Sequence, residues 1–124
     1  MRITLDIDQP VVSSEHEWER WVIGAARLFG WRVAKLQGAQ GSSDPGVPDL
    51  LLARRGRCIF VELKYGNGGT TEDQERWIEE LNGAVGFDGT GAATRSIVAY
   101  PADWEELCAQ LAPDSPRLWE VRAS

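Results

Sequence analysis

The chain has 124 residues, 43% of them apolar and six of them Trp, enough side-chain volume for one compact core but little for a second domain. No run approaches the roughly 18 apolar residues of a membrane span, and the N-terminus lacks the basic-then-apolar layout of a secretory signal, so a soluble cytoplasmic protein without a membrane partner is expected. Thirteen basic against nineteen acidic residues give a net charge of -6, which excludes a protein that holds nucleic acid by bulk charge alone.

Along the chain, Arg2 to Ile7 alternates apolar and polar residues, the pattern of a short strand ended by Pro10. Ser14 to Glu17 forms a Ser-x-x-Glu capping box. It opens a helix whose apolar positions are Trp18, Trp21, Val22, Ala25, Leu28 and Phe29, ended by Gly30. Trp31 to Leu36 reads as a strand, and the polar segment from Gln37 to Pro48, with an Asp44-Pro45-Gly46 turn signal, as a mobile loop. Asp49 to Ala53 and Cys58 to Leu63 are apolar runs separated by Arg54-Arg55-Gly56-Arg57. They are expected to form an antiparallel hairpin at the centre of the sheet, because apolar residues fall on both faces.

Gly66 to Gly69 breaks the chain, and Thr71 to Gln74 makes a second capping box, opening a helix through Trp77, Ile78 and Leu81 that Asn82-Gly83 closes. After a glycine-rich stretch, Arg95 to Tyr100 reads as a strand, Asp103 to about Leu111 as a short helix, and Arg117 to Arg122 as an edge strand. Trp104 and Trp119 are the two tryptophans expected at the surface, as parts of a subunit interface. Cys58 and Cys108 sit in apolar patterns with no Cys-x-x-Cys pair and a single His, so buried free thiols are expected rather than zinc or a disulfide. His16 is assigned no role.

The hairpin carries the chemistry. With Arg55-Gly56 as a two-residue loop, paired residues sum to 111 and Asp49 falls opposite Glu62. A three-residue loop with a glycine bulge would shift the pairing by one. In the first register Asp49, Glu62 and Lys64 share one face, since strand side chains alternate with period two. Facing carboxylates repel unless a cation lies between them, and oxygen ligands of this kind select Mg²⁺ or Mn²⁺. The plain structural reading is that Asp49 caps a turn while Glu62 and Lys64 form an edge ion pair.

Taken together, Gly46-Val47-Pro48-Asp49, an apolar strand, a tight turn, a strand ending Val61-Glu62-Leu63-Lys64 and a capped helix with Gln74 resemble the VRR-NUC branch of the PD-(D/E)xK nucleases. The resemblance runs from about residue 14 to 111 of a single 1–124 domain. It implies an α/β fold of the restriction-endonuclease-like type, a small mixed central sheet flanked by helices, here the first helix and the one containing Gln74. It also implies that Asp49 and Glu62 are metal-binding carboxylates, that the Leu63 carbonyl completes the site, that Lys64 is the catalytic lysine, and that Glu15 joins the metal ligands. Gln74 matches a glutamine that lies near the site in similar proteins, and its other reading is the N3 half of the Thr71 cap.

Helical spacing places Glu15 on the face of Trp18 and Val22, hence inward, and Glu17 and Glu19 toward solvent. Lys35 stands where the family often has His or Tyr, and with Arg54, Arg55 and Arg57 it is a candidate contact for DNA phosphate. The implied activity is Mg²⁺- or Mn²⁺-dependent endonucleolytic hydrolysis of DNA, selective for branched structures such as the Holliday junction. The expected enzyme is a homodimer in a bacterial cell or a phage-infected host. The alternative is a non-catalytic nucleic-acid-binding or assembly protein on the same fold.

Overall fold

The structure is a computed structural model, in which residues 9–36, 44–82 and 94–112 are described. The expected strand at Arg2 to Ile7, the tail from Arg117, Trp119, and most of the segments 37–48 and 83–94 lie outside the described residues.

Helix α1 (Glu15–Leu28) starts where the capping signal lies: Ser14 Oγ accepts the Glu17 N–H at 3.1 Å. The return arm differs from a closed capping box, because the Glu17 carboxylate takes its bonds from the hydroxyl (2.9 Å) and N–H (3.4 Å) of Ser13. The helix meets the core along Trp18, Val22, Ala25 and Ala26, with Phe29 following. Trp21 and Leu28, expected in that face, are 38% and 70% exposed. Seven residues apart, they share a stripe that runs beside the buried one.

Strands β1 (Arg32–Lys35), β2 (Leu50–Arg54), β3 (Arg57–Leu63) and β4 (Thr94–Ala99) form a mixed sheet in the order β1-β2-β3-β4. The first two pairings are antiparallel, and β3 runs parallel to β4, with helix α2 (Glu72–Asn82) as the crossover. The expected hairpin is therefore central. Leu50 and Leu52 of β2 and Ile59, Val61 and Leu63 of β3 are all buried in one hydrophobic cluster with the inner face of α1. The alternate residues of β3, Glu62 among them, consequently face the side on which α2 lies.

After a 3₁₀ turn at Pro101–Asp103, helix α3 (Trp104–Leu111) completes the core through Trp104, Leu107, Cys108 and Leu111. Trp104 is 3% exposed, against the expectation of a surface position. Its ring packs edge-on against Trp18 (5.9 Å between centroids) and Trp21 (5.8 Å), contacts that no local pattern reveals. Both indoles that reach across the core have partners: Trp18 donates to Ala99 O (3.1 Å) and Trp31 to Leu111 O (2.9 Å). Cys58 and Cys108 are free thiols, and burial raises the Cys108 thiol to about 11. No helix among the described residues is long and apolar enough to cross a membrane.

Helix α2 is built differently. It has no buried residue and contacts the sheet through β4. At its C-terminal end the Asn82 side chain accepts from Ser96 N (2.8 Å) and donates to Ser96 O (3.1 Å), satisfying the outer edge of β4. The sequence marks Asn82 only as a helix stop. Its pairing with Ser96 spans 14 residues and has no local signal.

Candidate active site

The β2–β3 turn fixes the site. Arg55 (φ 50°) and Gly56 (φ 79°) both have positive φ, the conformation of a two-residue hairpin loop whose twist matches the strands. Pairing runs from Arg54↔Arg57 to Leu50↔Val61, the two-residue register rather than the bulged one. The next pair outward is Asp49 with Glu62. Asp49 Oδ2 accepts the Leu63 N–H at 2.8 Å, which anchors the carboxyl across the mouth of the hairpin.

Glu62 is 4% exposed, an unusual place for a carboxyl. One of its oxygens is held: Oε2 accepts from Gln74 Nε2 at 3.0 Å and lies 3.8 Å from Lys64 Nζ. The other, Oε1, is buried, and no hydrogen-bond donor among the described residues reaches it. The Glu62 carboxyl is raised to about 7, first by burial and then by the charge of Asp49, which lies within reach to share a proton. Lys64 opposes the rise. Asp49 is also raised, chiefly by burial, against the Leu63 N–H bond and Lys64, and with help from Glu15 and Glu19.

Lys64 and Gln74 complete this group. Lys64 Nζ donates to Gln74 Oε1 at 2.8 Å, so the Gln74 amide bridges lysine and carboxyl. Both readings of Gln74 hold at once. Its N–H donates to Thr71 Oγ1 (3.2 Å) and its Oε1 accepts from Thr71 N (2.9 Å), so the residue that closes the cap also enters the site.

Glu15 is exposed at the start of α1 rather than turned inward, and it acts on Asp49 and Glu62 through its charge. Among the described residues no three His, Cys, Asp or Glu side chains form a group ready to hold a metal ion. Glu19, one helical turn on and expected toward solvent, pairs with Lys35 at 2.9 Å, and its charge is felt at Asp49. Its i+4 spacing from Glu15 was the available signal. Lys35, although half exposed, is thus occupied by a carboxylate.

The arginines lie elsewhere. Arg55 is exposed at the hairpin tip, Arg54 lies over Gly30, and Arg57 starts β3. Five residue steps of β3 separate Glu62 from Arg57, where the turn to Arg55 begins, about 17 Å at ~3.3 Å per residue. They do not converge on the carboxyl pair.

The donor set could take a hard divalent cation: facing carboxyls, a buried oxygen without a donor, and Lys64 alone against Asp49, Glu62 and Glu15, since Glu19 is paired with Lys35. Comparison of the chain with protein-family models and with curated proteins finds no match to either.

Proposed function

We propose that the chain is a VRR-NUC-like nuclease of the PD-(D/E)xK type, with a restriction-endonuclease-like core, hydrolysing DNA phosphodiesters with Mg²⁺ or Mn²⁺. The observation that carries this reading is the Asp49–Glu62 pair. Two carboxyls meet across a hairpin, Glu62 nearly buried and Asp49 partly so, with Glu62 Oε1 lacking a donor and its carboxyl raised to about 7. An arrangement that costs stability on its own is explained when a cation binds it.

Asp49, Glu62 and the Leu63 carbonyl would hold the ion, with Glu15 adding charge from the rim. When bound, the ion supplies Lewis acidity and the positive charge that the carboxyls require. Lys64 supplies the protein's own cation to the negative charge that grows on the phosphoryl group, and Gln74 fixes its ammonium through the 2.8 Å bond. Gln74 also holds Glu62 Oε2, which leaves Oε1 as its open ligand atom. Branched DNA is the proposed substrate and a homodimer the proposed assembly, since two copies would present two sites to opposite strands.

The test is cleavage of labelled duplex, flap and four-way-junction DNA in Mg²⁺, Mn²⁺ or EDTA at low salt. Metal-dependent cleavage is expected, with kcat reduced on the order of 10²–10³-fold in Lys64→Ala. A folded protein that cuts none of these substrates with either ion would overturn the reading in favour of a binding or assembly role.

A further inference from the structure

We propose that Gly46 is a positioning residue of this site, holding the first turn of α2 where Gln74 can bridge Glu62 and Lys64. The inference deepens the nuclease reading and rests on it for its catalytic part alone.

Asp44 to Val47 forms a turn closed by Val47 N–H to Asp44 O at 3.3 Å, with Pro45 second and Gly46 third at φ +81°. That third position of a type II turn favours glycine. Space demands it as well. A Cβ on Gly46 would lie 2.5 Å from Asp73 C, 2.6 Å from Gln74 N and 2.7 Å from Asp73 Cβ. Two of these atoms are backbone, so no side-chain rotation relieves the contact. The same turn accepts a second contact from α2, the Trp77 indole N–H to Pro45 O at 3.2 Å.

These contacts matter because α2 buries no residue of its own. Besides its half-buried contact with β4, it is held by Asn82 on Ser96 at its C-terminal end and by the Pro45-Gly46 turn against its first turn and Trp77. The turn leads through the fully buried Pro48 directly to Asp49. One short segment thus sets Asp49 on one side of the site and Gln74 on the other.

The test compares Gly46→Ala with Gly56→Ala, whose φ is similarly positive (+79°) but where an added Cβ meets nothing within 4 Å. The first readout is the NMR signal of the Gln74 side-chain amide, which needs no activity. Wild type and Gly56→Ala should share a shifted, exchange-protected signal, and Gly46→Ala should move it to the position of a free glutamine. Trp77→Phe, which removes the indole donor and one ring of the bicycle but leaves the backbone contact at Gly46, should move it part of the way and keeps the question open to test if Gly46→Ala does not fold.

The second readout is cleavage in Mn²⁺. Gly46→Ala should lower kcat about tenfold with KM within about twofold, match Gln74→Ala, and add nothing to it in the double variant. An unmoved Gln74 signal in folded Gly46→Ala, or in Trp77→Phe should the first not fold, overturns the proposal. Absence of cleavage by wild type overturns the nuclease reading and leaves the NMR result to decide the positioning role.

Discussion

A single carboxyl dominates the chemistry at the scale of the residue. Glu62 is raised from 4.5 to about 7, so between those values the folded protein keeps a proton that the unfolded chain has released. Its contribution to stability is therefore complete below about pH 4.5 and is lost as pH rises through about 7, and the raised Asp49 acts in the same direction. Without divalent ions, stability should fall across this window by on the order of 3 kcal/mol, as read by urea denaturation. Glu62→Gln should flatten the profile, because an amide carries no charge at either end. Excess Mn²⁺ should take the place of the proton and raise Tm more at pH 8 than at pH 5, since it competes with the shared proton for the same oxygens. A stability profile without slope in the metal-free wild type would sink this account of the pair. Asp49, Glu62 and Lys64 could be read from the sequence because they lie on one hairpin, where period-two alternation and a two-residue turn determine which side chains meet. Glu19 could not, because its partner Lys35 comes from another element and only tertiary packing brings them to 2.9 Å.

Each element is held by a different kind of force, and this decides how it responds to change. Helix α1 is a core helix with four buried residues, whereas α2 has none and adds to its half-buried contact with β4 the hydrogen bonds of Gln74, Trp77 and Asn82. Asn82→Ala should leave the backbone N–H of the buried Ser96 without its partner and cost about 1–3 kcal/mol in urea denaturation. Thr71→Ala removes one cap acceptor and should cost about 1 kcal/mol, with a fall in kcat as well, since the Gln74 that it caps also reaches Glu62. A Thr71 variant that loses stability but keeps full kcat would show that cap and site are independent. Capping boxes, turn residues and apolar runs are local signals, and they placed three helices and four strands to within a residue or two. What helical periodicity does not settle is which of two neighbouring stripes faces the sheet. Trp21 and Leu28 have the right spacing, but the small Ala26 occupies the buried position and leaves them outside. Trp104 escaped for the converse reason: the ring is buried by Trp18 and Trp21, more than 80 residues earlier in the chain.

Charge is a property of the whole molecule, and here it opposes the proposed substrate. With a net charge of -6, the protein gains little from long-range attraction, so binding of the proposed DNA substrate would have to come from a bound cation and a few local contacts. Lys35 is paired with Glu19, and the exposed basic residue on the hairpin that carries the site is Arg55 at its tip. Its distance along the strand, about 17 Å, corresponds to about five base pairs at ~3.4 Å each, so Arg55 would touch a phosphate well away from the bond that is cut. Arg55→Ala should therefore raise KM severalfold at low salt and leave kcat unchanged. It should also lower the slope of log affinity against log salt by about 0.9, the share of one phosphate contact. Shortening the duplex arm from ~12 to ~4 base pairs should remove the difference between variant and wild type, because the remote phosphate is no longer there. An effect of Arg55→Ala that persists on the short arm would place the arginine near the scissile bond instead. No effect on either arm would mean that the tip serves solubility and that the substrate is held at the carboxyl pair alone.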